Sequence, residues 1–280
     1  MLTNYHTHTT FCDGINTAEE MVRSYHKEMK SIRMMRVLTM VVFLVLLWVL
    51  RAKVNITLAV VFVLVLFLGL QFLQTLQTKQ FAMVQRVLNV ECDATKYVSI
   101  MELLVKDAGK EEAVMKLFLA QGQYYSGRFE EALETLNSFY MARPSAEAAA
   151  LYHSIAFNCH IELETLEKAR SARQEMEAIL YTTGTRRRGS ISHYLPVMDA
   201  LLALKEERYD AFFSQQVRMA EETVMPLQKV AALYYLAQGE LVQGEDAAAR
   251  EHLEQVLELG CTTFMAAEAA NLLEEFALPE

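Results

Sequence analysis

Apolar residues are distributed along this chain in two different ways. Between residues 34 and 73 they are nearly continuous. "MMRVLTMVVFLVLLWVL" fills 34–50 and "VNITLAVVFVLVLFLGLQFL" fills 54–73, and from Val37 to Thr78 the only charged residues are Arg51 and Lys53. A helix that crosses a bilayer needs about 20 apolar residues, with a lower limit near 17. The second run meets this. The first is near the limit and is extended by Met34, Met35 and the aliphatic stem of Arg36. The short "RAKVN" between them fits only a tight turn, so the pattern predicts a transmembrane helical hairpin over 34–76. Past residue 77 the pattern changes. Apolar residues recur at helical spacing, Ala, Leu, Glu, Gln and Met dominate, and strand signals are almost absent. The expected fold class is all-α. The expected division is a cytoplasmic leader over 1–33, the hairpin over 34–76, a helical neck over 77–109 and a helical repeat domain over 110–280.

The helical part contains an internal period. "LFLAQGQYYSGRFEEALETLNSFYMARP" (117–144) and "LYYLAQGELVQGEDAAAREHLEQVLELG" (233–260) share an order of small, apolar and glycine positions. The first resembles the tetratricopeptide repeat, a helix-turn-helix of about 34 residues. Leu119 and Ala120 occupy the helix A places, Gly127, Phe129 and Ala132 the turn and the helix B packing place, and Leu136 and Pro144 the later ones. In the second copy Leu236, Ala237, Gly244, Ala249 and Leu253 correspond, with Asp246 in place of the aromatic. Small residues let paired helices approach closely, and the aromatic fills the gap near the turn. Two weaker helix pairs, 149–180 and 195–226, lie between, the latter with Tyr209 at the aromatic place. "TFMAAEAANLLEEFA" reads as a terminal capping helix. The resemblance implies an α-solenoid that binds a protein or peptide in its concave face.

Charge sharpens the division. Arg23, Lys27, Lys30, Arg33 and Arg36 precede the first apolar run, and Lys79, Arg86 and Lys96 follow the second. Basic residues mark the cytoplasmic side, so both termini are expected there, with the small loop outside and lipid as a contact. From Lys79 onward 19 Lys+Arg face 31 Asp+Glu, a net charge of −12. Nucleic acid is a poor partner for such a domain, since phosphate binding requires clustered positive charge. The exception, "GTRRRGS" (184–190), reads as a solvated basic loop, with a contact to lipid headgroups or an acidic partner as the alternative. Cys12, Cys92, Cys159 and Cys261 are scattered and form no C-x-x-C, which fits a reducing compartment.

Candidate chemistry is confined to the start. In "NYHTHTTFCDGINTAEEMV" (4–22) His6 and His8 sit two apart, a spacing that puts two imidazoles on one face of a strand, where they can share a metal. Asp13-Gly14 is a turn signal, and Thr17 with Glu20 is a capping box that opens a helix. This stretch resembles the first motif of the PHP (polymerase and histidinol phosphatase) family. His6 and His8 match its H-x-H metal ligands and Asp13-Gly14 the turn after them. The resemblance implies a metal-dependent phosphoesterase on a distorted β/α barrel. That barrel takes further His, Glu and Asp ligands from later strands, and the remaining histidines, His26, His153, His160, His193 and His252, form no second H-x-H. A catalytic zinc needs three protein ligands. His153 and His160, seven apart, could share a helix face but have no third ligand nearby in sequence. No nucleotide-binding, nucleophile-elbow or zincin motif is present. The expectation is therefore a non-catalytic, membrane-anchored scaffold without cofactor. The alternative is a PHP-type phosphatase of which only the first motif is present.

Overall fold

The computed structural model describes residues 17–50 and 56–277. It is all-α: every regular element among the described residues is helical. The chain forms two compact units, residues 16–86 and the part from residue 87 to the C-terminus.

In the first unit α1 (Ala18–Leu50) opens at the expected capping box. The Thr17 amide donates to Glu20 Oε2 at 3.0 Å and the Glu20 amide to Thr17 Oγ1 at 3.2 Å. The helix then runs without a break through the basic leader into the first apolar run. α2 (Ile56–Asn89) carries the second. The two helices share a small core of Met29, Ile32 and Leu73, flanked by Tyr25 and Leu76, and Phe43 stacks on Phe62 at 5.0 Å. Most other large side chains of both apolar runs are exposed, Trp48 at 77% and Leu68 at 65% among them. Among the described residues one stretch, Val61–Asn89, is long and apolar enough to cross a membrane by length and composition.

The second unit is built of consecutive helices: α3 (Ala94–Lys106), α4 (Glu112–Tyr125), α5 (Phe129–Asn137), α6 (Ala146–Glu162), α7 (Leu166–Thr182), α8 (Thr185–Ile191), α9 (Tyr194–Lys205), α10 (Tyr209–Glu222), α11 (Pro226–Gln243), α12 (Asp246–Leu259) and α13 (Phe264–Ala277). α4 packs on α5, α6 on α7, α9 on α10 and α11 on α12, and α4, α6 and α9 also pack on one another in sequence. The stretch 184–190 is a correction to the sequence reading. It is not a loop, because Thr185–Ile191 forms a short helix whose Arg187 and Arg188 amides bond back to Gly184 O at 3.0 and 3.1 Å.

The four pairs share one turn. Gly127, Glu164, Glu207 and Gly244 all have positive φ, from 54° to 80°. The following amide, of Arg128, Thr165, Arg208 or Glu245, bonds to the carbonyl five residues back at 2.8–2.9 Å. The positive-φ residue itself bonds three back, at 2.9–3.2 Å. This is the Schellman arrangement, which satisfies carbonyls a helix end would otherwise leave unpaired. Glycine adopts this backbone freely and glutamate does not.

Packing follows the same register. The residue five after each turn, Ala132, Ala169, Phe212 or Ala249, is fully buried. Tyr97, five after the positive-φ Cys92, is buried likewise. Where this place is aromatic, the next helix supplies glycine. A Cβ on Gly122 would stand 2.7 Å from Tyr97 Cδ1, and one on Gly239 would stand 2.3 Å from Phe212 Cε1.

The last helix does more than cap an end. The Thr262 amide donates to Cys92 O at 3.3 Å, Thr262 Oγ1 to Asp93 Oδ1 at 2.8 Å, and the Thr95 amide to Thr262 Oγ1 at 3.0 Å. Phe264 meets Phe129 and Tyr124 edge-on at 5.0 and 5.6 Å. The C-terminal helices thus close on the first ones of the same unit.

Candidate functional site

The second unit holds a half-open cavity of about 590 Å³, lined by Asn89 and by residues of α4, α6, α9, α10 and α11. This is within the range of about 300–1,000 Å³ that small-ligand sites occupy. The first helix of each pair faces it. Gln121 and Asn158 stand six residues before the turns at Gly127 and Glu164, and this shared register turns both amides to the same side. Leu201 holds the corresponding place in α9.

Most of the lining is neutral. Apolar surface comes from Leu151, Ile155, Val197, Leu201 and Leu227, and phenol rings from Tyr124, Tyr125, Tyr194 and Tyr235. Amides come from Asn89, Gln121, Asn158, Gln215, Gln216 and Gln228. The formal charges in the wall are Arg218 and Glu222, one of each sign and both exposed. His193 also lines it, and partial desolvation lowers its imidazole below the ordinary range although the residue is exposed.

The amides are incompletely satisfied. Gln216, 1% exposed, donates from Nε2 to Ala232 O at 2.8 Å, which fixes its orientation and leaves Oε1 as the acceptor. That oxygen and Gln121 Oε1 are buried and accept nothing among the described residues. A buried polar group without a partner costs about 1–3 kcal/mol.

At the wall a hydrogen-bonded chain that includes the lining residues Tyr124 and Tyr235 joins three helices. Tyr235 of α11 donates to Glu162 Oε1 of α6, and its oxygen lies 3.1 Å from Tyr124 Oη of α4. With the Tyr235 proton given to Glu162, Tyr124 is the donor of the second bond. Burial pushes both phenols well above their ordinary range, so they remain neutral. Burial also raises the Glu162 carboxyl, opposed by the Tyr235 hydroxyl and Lys205.

His6 and His8, the candidate metal ligands, lie outside the described residues. Among the described residues no group of three or more His, Cys, Asp and Glu is placed to hold a metal. His153 and His160 of α6 are accounted for locally. His153 lies against Tyr152 at 5.2 Å, and His160 Nδ1 pairs with Thr165 Oγ1 at 2.8 Å across the α6–α7 turn. Cys92 and Cys159 are buried free thiols, each pushed up to about 12 by burial, which removes the thiolate that nucleophilic chemistry requires.

Sequence reasoning passed over the amides and tyrosines of the cavity. Their signal was present, because Gln121 and Asn158 hold one register relative to their turns. At Glu164 that register is hidden, since the turn lacks glycine. Comparison of the chain with protein-family models, with curated proteins and with solved structures finds no match.

Proposed function

We propose that this protein is a membrane-anchored, non-catalytic interaction module. Its apolar runs form a two-pass hairpin with both termini cytoplasmic, and its helix pairs act as a tetratricopeptide-like scaffold that receives a protein or peptide segment on their inner side. The observation that carries this reading is the fourfold recurrence of one turn and one packing register around an amide-lined cavity. Repeated pairs that present the same face build a continuous binding surface. For the anchor, exposed apolar side chains along α1 and α2 form a surface far larger than a soluble monomer leaves bare. The Phe43–Phe62 stack and the Met29–Ile32–Leu73 core support the pairing of the two helices.

Two experiments test the reading in native membranes. A photo-crosslinking amino acid at Tyr125, in the cavity wall, should give a discrete protein adduct. The same group at Tyr181, which is 86% exposed, should not. Equal adducts from both sites, or none from the first, overturn the interaction reading. For topology, Asn55→Cys should react with an impermeant thiol reagent on intact cells while a C-terminal cysteine stays protected. Labelling of the C-terminal position overturns the two-pass assignment.

A further inference from the structure

The chemistry of the cavity says more than that something binds there. We infer that it selects an uncharged peptide segment, whose backbone amides pair with the wall amides of α4, α6 and α10. This rests on the interaction reading above and specifies its partner.

Three observations converge on that class. First, apart from Arg218 and Glu222 the lining carries no formal charge, although the domain around it has a net charge of −12 from Lys79 onward. Those two are exposed and opposite in sign. A charged side chain brought against the rest of the wall would lose water and find no counter-ion beside it. Second, the polar wall groups include six primary amides spread over five helices: Asn89 of α2, Gln121 of α4, Asn158 of α6, Gln215 and Gln216 of α10 and Gln228 of α11. Each amide offers donors and an acceptor, as a peptide unit does, and their spread around the wall matches a linear ligand that presents such units repeatedly. Third, Gln121 Oε1 and Gln216 Oε1 are acceptors without donors, closed off from bulk water. The need there is for an N–H donor, which a peptide backbone supplies without charge. Between the amides, Leu151, Val197 and Leu227 take uncharged side chains.

The test uses the full-length protein in detergent micelles and an array of N-acetylated, C-amidated octapeptides with every position varied. Selected peptides should be uncharged at their central positions. Gln216→Met, which keeps the volume and removes both the donor and the acceptor, should weaken their binding at least tenfold. Gln121→Met should weaken it measurably. Gln121→Lys should shift selection toward peptides with Asp or Glu, a change that a merely structural role would not produce. If Gln216→Met lowers the melting temperature, the two Gln121 variants carry the test, since Gln121 is only half-buried. Central Asp, Glu, Lys or Arg in the peptides selected by the unaltered protein would overturn the inference and leave the interaction reading standing. So would equal binding by the unaltered protein and the Met variants. No selection above empty micelles overturns both.

Discussion

The helix pairs α4–α5 and α9–α10 share a turn and a register but fill them differently. Five residues past the turn, α5 carries Ala132 and α10 carries Phe212, both with zero exposure. Phe212 fits because α11 opposes it with Gly239, whose added Cβ would fall 2.3 Å from the ring. The turns differ too, with Gly127 in the first pair and Glu207 in the second. A repeated backbone therefore does not require a repeated sequence. It requires that the volumes on facing helices be complementary and that the turn hold a left-handed residue, whatever its cost. Tyr97 opposite Gly122 is a second use of the same exchange.

The comparison is broken most severely at the aromatic. In a fragment of residues 79–280, expected to fold alone because residues from 87 onward form their own compact unit, Phe212→Ala should cost about 3–5 kcal/mol. Gly239→Leu added to it should recover part of that loss by filling the space, whereas Gly239→Leu alone should destabilise. Urea unfolding followed by circular dichroism measures all three. Losses that simply add would show that the two positions do not share one space.

Ala132→Trp reverses the exchange without a glycine to receive it, at an expected cost of about 1–3 kcal/mol. Glu131→Gln, on the exposed face one residue away, should stay within about 0.5 kcal/mol. Equal melting temperatures for these two variants would contradict the shared register.

The turns give a smaller effect with the opposite sign. Glu164→Gly and Glu207→Gly relieve a left-handed backbone and should each stabilise by about 1 kcal/mol. Gly127→Ala should destabilise by a similar amount, and its added Cβ would also stand 3.1 Å from Phe264. A loss from either glutamate substitution would show that the side chain does something its backbone conformation does not reveal.

The smallest effect concerns pH and the bonded chain that joins α4, α6 and α11. Burial raises the Glu162 carboxyl above its ordinary 4.5 in the folded chain. The folded state holds that proton more tightly than the unfolded chain, so its contribution is fully present below about pH 4.5 and is lost as pH rises through the folded value. Glu162→Gln, which accepts from Tyr235 without a charge, should flatten this decline. An unchanged slope of stability against pH in the variant would remove Glu162 as its source.

Local chemistry was sufficient for several features. The all-α class followed from composition and spacing, and the capping box at Thr17 and Glu20 from two residue types three apart. The turns at Gly127 and Gly244 followed from glycines after helical runs. Glu164 and Glu207 were not legible as left-handed, because glutamate does not favour that conformation by itself. It is imposed by the packing of the helices on either side. The short helix at 185–191 was hidden for a related reason: arginines and a glycine read as loop until Gly184 O accepts the first helical bonds.

The sequence by itself determined where most of the chain is helical, where its apolar surface is continuous and where its charge gathers. These are properties of neighbours along the chain, set by backbone propensity and by the affinity of each side chain for water. Tertiary structure alone decided that Phe212 has a place, since that depends on Gly239, 27 residues away. It alone brought Thr262 to Asp93 and set α4, α6, α9, α10 and α11 around a cavity. It alone gathered Gln121, Asn158 and Gln216 from separate helices, because contacts between distant segments depend on the register and turn of every pair between them.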